Sequence, residues 1–146
     1  MDIILRIIHD LTQVHPPHPL FVHFPIALTS AALFFILLAL WRHSDILEQV
    51  AFANLSLAAV STIVAAIVGM RDNYYYYAGL APNHTAKIVL ASTLFLVTTT
   101  TALYRWRHPD LFHTRNAKVV YILAFFVSFA IAAVLGFLGG VILYGF

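Results

Sequence analysis

The sequence predicts an all-α integral membrane protein, a bundle of four transmembrane helices that run alternately up and down. Hydrophobic residues make up 62% of the 146-residue chain and charged residues only 10%, whereas about a quarter of the residues of a soluble domain are charged. The mean hydropathy is +0.88. We expect lipid to cover this apolar surface, and we expect the whole chain, residues 1–146, to form a single membrane domain.

The apolar residues are collected into four stretches, each long enough for the roughly 20 residues of one helical crossing. These spans are predicted at about 19–41, 49–70, 84–105 and 119–144. Short connections make neighbouring spans antiparallel, which gives an up-down-up-down bundle with both termini on one side. Small residues at four-residue spacing, such as Ala65 and Gly69, favour close packing between the helices.

The residues before the first span predict a short interfacial helix. Isoleucines and leucines between Ile3 and Leu11 alternate with polar residues in an amphipathic pattern, as in helices that lie on a membrane surface. Docking of this helix on a partner subunit is the alternative. The start is not expected to be a cleaved signal peptide, because Arg6 interrupts its apolar run.

The basic residues predict the orientation of the bundle. One side carries five of them, Arg42, Arg105, Arg107, Arg115 and Lys118. The other side carries three, Arg6, Arg71 and Lys87. Because basic residues are retained on the cytoplasmic side, the termini are predicted to be periplasmic in a bacterial inner membrane. The net charge of +2 is too small, and too dispersed, to indicate nucleic-acid binding.

Polar residues are concentrated at the predicted periplasmic ends of the spans. The segment HPPHPLFVHFP, residues 15–25, introduces the first span and contains three histidines, His15, His18 and His23. The up-down topology places the end of span two, with Arg71, and the start of span three, with His84, at the same face. Polar groups at such depths usually have a partner and a function, so we expect a binding site for a metal or metal-containing cofactor there.

Haem b is the cofactor that this pattern favours. His23 shares a helix face with the small residue Ala27, and His84 opens span three, so spans one and three are expected to present two imidazoles to each other. Two imidazoles from facing helices are sufficient for axial ligation of haem. Arg71 and Lys87 lie at the level where the haem propionates would emerge. The sequence therefore predicts a b-type cytochrome-like electron-transfer subunit.

Two alternatives remain open at this point. Neutral imidazole also binds copper or zinc, and His15 or His18 would complete a three-nitrogen site with the other histidines. The second alternative is a cofactor-free structural or accessory subunit of a membrane redox complex. In that case the histidines are interfacial side chains, and Arg71 with Asp72 is a surface ion pair of little energetic weight.

Several other classes of function are disfavoured. The chain has no cysteine, which excludes thiolate metal sites and thioether-linked haem. No nucleophile–base arrangement or phosphate-binding loop is present, so a non-catalytic subunit is expected in place of an enzyme. The span interiors lack acidic and basic residues apart from Lys87 near an end, which argues against ion or proton transport.

The HPPHPLFVHFPIAL stretch resembles the opening of a bacterial membrane family known as domain of unknown function 2231. The resemblance rests on His15, His18, His23, Phe24 and Pro25, then on Gly69, Met70 and Asp72, and finally on His84. It implies a small four-helix membrane protein that is sometimes found with redox partners, and it brings no established activity. Expected partners are other membrane subunits, a quinone or a periplasmic electron carrier.

Overall fold

The computed structural model describes residues 3–10 and 16–144, and nearly all of them are helical. A short helix, α1 (Ile3–His9), precedes four long ones, α2 (His18–Arg42), α3 (Asp45–Tyr77), α4 (His84–Arg107) and α5 (Arg115–Tyr144). A 3₁₀ turn at Pro109–Phe112 connects α4 to α5. The four long helices are each long and apolar enough to cross a membrane, which confirms the predicted fold class.

The four long helices pack in a ring. Helix α2 contacts α3 and α5, and α4 contacts the same two helices, so α2 and α4 lie diagonally across the bundle. Short connections make successive helices antiparallel. The N-termini of α2 and α4 and the C-terminus of α3 therefore lie at the same end of the bundle, which we call the His18 end. The opposite end, where α3 and α5 begin, is the Glu48 end.

Helix α2 buries a narrow stripe of mainly small residues against its neighbours. The stripe follows a spacing of four and three residues, Pro25, Thr29, Ala32, Ile36 and Ala39, which is the pattern of a helix packed along one seam. The helix ends at His43, whose backbone is left-handed with φ 52°. Only His43 and Ser44 separate α2 from α3, and the Ser44 hydroxyl accepts a hydrogen bond from the Leu47 N–H at 3.4 Å, which caps α3.

The buried apolar core cluster lies toward the Glu48 end. It joins α2, α3, the 3₁₀ turn and α5 through Ala32, Ile36, Ala39, Ala51, Leu55, Leu111, Phe112, Tyr121 and Phe125. Helix α4 contributes much less to the interior, since its fully buried residues are Leu94 and Thr98. Three helices thus form the core at this end, and α4 is attached along a narrower contact.

Two glycines lie in close contact with a side chain of a neighbouring helix. A Cβ atom on Gly69 would lie 2.8 Å from the imidazole of His18, and one on Gly136 would lie 3.0 Å from the Ile26 side chain. Both contacts join α2 to a neighbouring helix of the same chain. The small residues that predicted close helix packing therefore mediate contacts within the bundle.

The predicted spans agree with the helices except at their ends. Helix α3 begins four residues before the predicted span and continues seven residues beyond it, through the tyrosine run Tyr74–Tyr77. The predicted amphipathic helix is present as α1, with Ile3, Ile4, Leu5 and Ile7 exposed. Its location on the membrane surface stays a prediction, as does the assignment of the chain to a single domain.

Candidate functional site

The polar site at the His18 end is centred on His18, the first residue of α2. Its Nδ1 lies 3.1 Å from the carbonyl oxygen of Ala65 on α3, and its ring rests against Gly69, one turn further along. Any side chain at position 69 would occupy the space of the imidazole. The ring is half-buried and links the start of α2 to the end of α3.

Asp72 contacts the N-terminus of α2 from a buried position. Its Oδ2 accepts a hydrogen bond of 2.8 Å from the His18 backbone N–H, and its side chain is only 5% exposed. The preceding residue, Pro17, makes no side-chain cap to α2. A carboxylate at a helix N-terminus satisfies an unpaired N–H and interacts favourably with the helix dipole, so Asp72 acts as the cap from a neighbouring helix.

The prediction of Arg71 and Asp72 as a surface ion pair is wrong for the carboxylate. Arg71 Nη1 does lie 3.1 Å from Asp72 Oδ1, and the guanidinium lies 5.1 Å from the centre of the Tyr75 ring. The Asp72 side chain, however, is buried and is shared between Arg71 and the start of α2. The sequence signal was its place in Gly69-Met70-Arg71-Asp72, about one turn beyond the small residue Gly69.

His84 lies at the same end and is fixed by the loop that precedes α4. Its Nδ1 is 3.0 Å from the carbonyl oxygen of Ala81. The N–H of Ala81 in turn donates to the Asn73 side-chain oxygen at 2.9 Å. Through these two bonds, α3 positions the loop and the loop positions the half-buried imidazole of His84.

His23 lies on a different side of α2 from the one the sequence predicts. The predicted inward face contains His23 and Ala27, yet both are exposed, and Pro25 and Thr29 are buried instead. The inward face is set by the small residues that pack on α3 and α5. The His23 ring is nevertheless held, because Nδ1 contacts the Pro19 carbonyl oxygen of the preceding turn.

Lys87 brings a positive charge to the site from α4. It lies one turn after His84, is half-buried, and is close enough to His18 to interact with its ring electrostatically. Within the described ranges Lys87 forms no ion pair with an acidic residue. The structure therefore gathers His18, His84, Arg71 and Lys87 at one end, as the topology predicts, and places His23 on the outer side of α2.

The three described histidines at this end share one chemical feature. Each turns Nδ1 toward a backbone carbonyl, which accepts hydrogen bonds but cannot donate them. In the neutral ring the proton therefore lies on Nδ1, and Nε2 retains its lone pair. Metal-ligating histidines are usually oriented by such a hydrogen bond from the second ring nitrogen.

A metal centre with three or more side-chain ligands needs a different arrangement of residues. Among residues 3–10 and 16–144, no three histidine or acidic side chains are arranged to hold a metal ion. His15, which the copper or zinc alternative uses, lies outside the described residues.

The Glu48 end contains a polar cluster that the sequence analysis missed. Glu48, 1% exposed, receives two hydrogen bonds from Arg105, Nε to Oε1 at 2.7 Å and Nη2 to Oε2 at 2.8 Å. The Tyr121 hydroxyl donates to Oε1 at 2.7 Å. Arg105 was counted only as a loop charge, and Glu48 falls one residue before the predicted span. Opposite charges at matching depth on adjacent antiparallel spans were the available signal.

Four long apolar helices whose charged residues are confined to their two ends define a multi-pass, all-helical membrane protein. Within that class, the chain belongs to the family described as "Predicted membrane protein (DUF2231)", whose model matches residues 14–146. The family assignment confirms the resemblance based on the histidine-proline motif. No curated protein and no solved structure matches the chain.

Proposed function

We propose that this chain is a small electron-transfer subunit of a membrane redox complex, of b-type cytochrome character, with a haem-binding site at the His18 end. The observation that carries the proposal is the shared orientation of three imidazoles. His18, His23 and His84 each direct Nδ1 to a backbone carbonyl. Each neutral ring therefore keeps an Nε2 lone pair on a side chain of fixed orientation, which is what ligation requires.

The proposed axial ligands are still the two histidines that the sequence names, His23 and His84, but His23 is reached from the outer side of α2 and not across the bundle. The ring of His18 is committed to its packing against Gly69, whereas His23 is exposed and His84 is only half-buried. A ligand that awaits a cofactor must leave its nitrogen accessible. Because His23 lies on the outer side of α2, a cofactor bound there is at the edge of the bundle, which supports a role beside partner subunits.

The charges at this end suit the carboxylates of such a cofactor. Lys87 has no acidic partner in the described part of the chain, and the Arg71 guanidinium is one-third exposed beside Asp72. A cationic side chain at the membrane surface pairs well with a propionate. Bound haem would supply one-electron chemistry, and electrons would pass between a quinol pool or larger complex and a carrier in the periplasm. In that proposal the membrane is a bacterial inner membrane, and both termini are periplasmic.

One spectroscopic experiment tests the cytochrome proposal. The full chain is purified from haem-replete cells, and its absorption is recorded oxidised and after dithionite reduction. We expect the sharp reduced bands of bis-imidazole haem, lost in His23→Ala and in His84→Ala. His43→Ala is the matched control, since His43 is an exposed histidine at the opposite end. A colourless chain with no haem after reconstitution would contradict the proposal.

A cofactor-free accessory subunit is the second candidate, and one observation favours it. Asp72, His18 and Asn73 join the ends of α2, α3 and the loop before α4 through bonds that need no ligand. Such a cluster stabilises the bundle by itself. The same purification discriminates the two functions, because an accessory subunit is expected to be colourless and to co-purify with other membrane subunits.

A further inference from the structure

A cavity of about 300 Å³ lies at the Glu48 end, between the last turn of α4, the 3₁₀ turn and the first turn of α5. Its lining includes the exposed polar residues Arg107, His108 and Asp110, together with Tyr104. The Tyr104 and His108 rings are in contact, with centroids 4.5 Å apart. This volume is at the lower limit of about 300 Å³ for small-molecule sites.

The cavity contains one cation and one anion that do not pair with each other. In the part of the chain that the structure describes, neither the Arg107 guanidinium nor the Asp110 carboxylate forms an ion pair or a side-chain hydrogen bond. The neighbouring Arg105, by contrast, is fully engaged by Glu48. The opposite charges of Arg107 and Asp110 balance, so the site is suited to a ligand that also carries both signs.

The position of the cavity points to a lipid. Trp106 near the end of α4, which is 71% exposed, and Trp41 near the end of α2, which is 72% exposed, both lie at this end of the bundle. Exposed tryptophans mark the level of the lipid headgroups. One turn toward the membrane centre, Leu103 on α4 and Val120 on α5 are exposed. An apolar surface that continues from a polar cavity into the bilayer fits the acyl chains below a headgroup.

We propose that this cavity binds the headgroup of a zwitterionic phospholipid with a primary ammonium, that is, phosphatidylethanolamine. The Arg107 guanidinium would bind the phosphate, as planar guanidinium groups commonly do. The ammonium N–H groups would donate to Asp110. A lipid with an uncharged or purely anionic headgroup leaves Asp110 unpaired or repelled, and a choline headgroup has no N–H to donate.

Native mass spectrometry of the delipidated full chain tests the site. Phosphatidylethanolamine, phosphatidylglycerol and phosphatidylcholine with identical acyl chains are titrated separately, and we expect phosphatidylethanolamine to be retained best. Arg107→Gln should weaken its binding by about tenfold, the effect of losing about 1.4 kcal/mol of a charge-assisted bond. Asp110→Asn should remove the preference for ethanolamine over choline.

The controls keep the result interpretable. Arg42→Gln removes an exposed arginine that lies at the Glu48 end, on α2, outside the cavity. This variant should leave binding unchanged. Equal binding by Arg107→Gln and Arg42→Gln, or tighter binding of phosphatidylglycerol, would overturn the proposal. The last experiment adds free glycerophosphoethanolamine as a competitor of the lipid. Competition at the same concentration as the lipid would assign the cavity to a soluble phosphate compound and would also overturn the lipid proposal.

Discussion

Arg105, in the last turn of α4, donates two hydrogen bonds of 2.7 and 2.8 Å to the carboxylate of Glu48, in the first turn of α3. Tyr121 adds a third hydrogen bond from α5. Helix α4 buries few other residues. Among the contacts of the described helices, this ion pair is therefore the main polar link between α4 and the rest of the bundle.

Breaking the pair from one side should strongly destabilise the protein. We expect Glu48→Gln to lower the free energy of unfolding by about 3–5 kcal/mol, because it leaves the Arg105 charge buried without compensation. Equilibrium unfolding in mixed micelles measures the change. Asp45→Asn is the matched control, since the exposed Asp45 pairs with His113 at 3.2 Å and surface pairs contribute about 1 kcal/mol or less. Similar losses in the two variants would contradict the structural role of Glu48.

The tyrosine hydroxyl can be tested separately from the ion pair. Tyr121→Phe keeps the ring against Phe125, which it contacts edge-on with centroids 5.0 Å apart, and removes only the donor to Glu48. We expect a loss of about 1.5–3 kcal/mol, the value for hydrogen bonds to charged groups. Tyr104→Phe, which alters an exposed tyrosine, should change the stability little. An unchanged unfolding midpoint for Tyr121→Phe would show that Arg105 alone satisfies Glu48.

Gly69 is predicted to be intolerant of even one methyl group. Gly69→Ala should displace the His18 ring, because the new Cβ would lie 2.8 Å from it, and overpacking of this kind costs about 1–3 kcal/mol. Gly139→Ala is the matched control, since nothing lies within 4 Å of a Cβ at that helical position. We expect the control to be neutral or slightly stabilising in thermal unfolding. Equal behaviour of the two alanine variants would show that the His18 contact is not tight.

Asp72 should be needed for an ordered start of α2. Asp72→Asn keeps the shape of the side chain but removes the charge that the His18 N–H and Arg71 share. We expect faster hydrogen exchange of the backbone amides in the first turn of α2, and unchanged exchange near Leu55 in the distant core. Protection equal to that of the parent chain at His18 would contradict the capping role.

The proposed orientation has a direct chemical test, because the chain contains no cysteine. Tyr75→Cys and His113→Cys each introduce one thiol at an exposed position, at opposite ends of the bundle. On cells with a permeabilised outer membrane only, an impermeant maleimide should label position 75 and not position 113. The reverse labelling would place the termini in the cytoplasm.

Hydropathy alone was enough to predict the four helices, because the length of an apolar run is a local property. It did not predict the ends of α3, since Asp45–Glu48 becomes helical through a cap at Ser44 and a partner 57 residues away on α4. The gathering of His18, His84, Arg71 and Lys87 followed from the topology. The outward position of His23 did not, because the inward face of α2 is decided by packing against α3 and α5.

The two-residue connection between α2 and α3 has a consequence for biogenesis. We predict that two helices joined so tightly enter a bilayer as one hairpin, and that this hairpin carries the Glu48 carboxylate before either of its donors is inserted. Arg105 and Tyr121 arrive with the second hairpin. The acidic group is therefore satisfied only once the two halves meet, so that docking of the halves and neutralisation of this carboxylate are the same event.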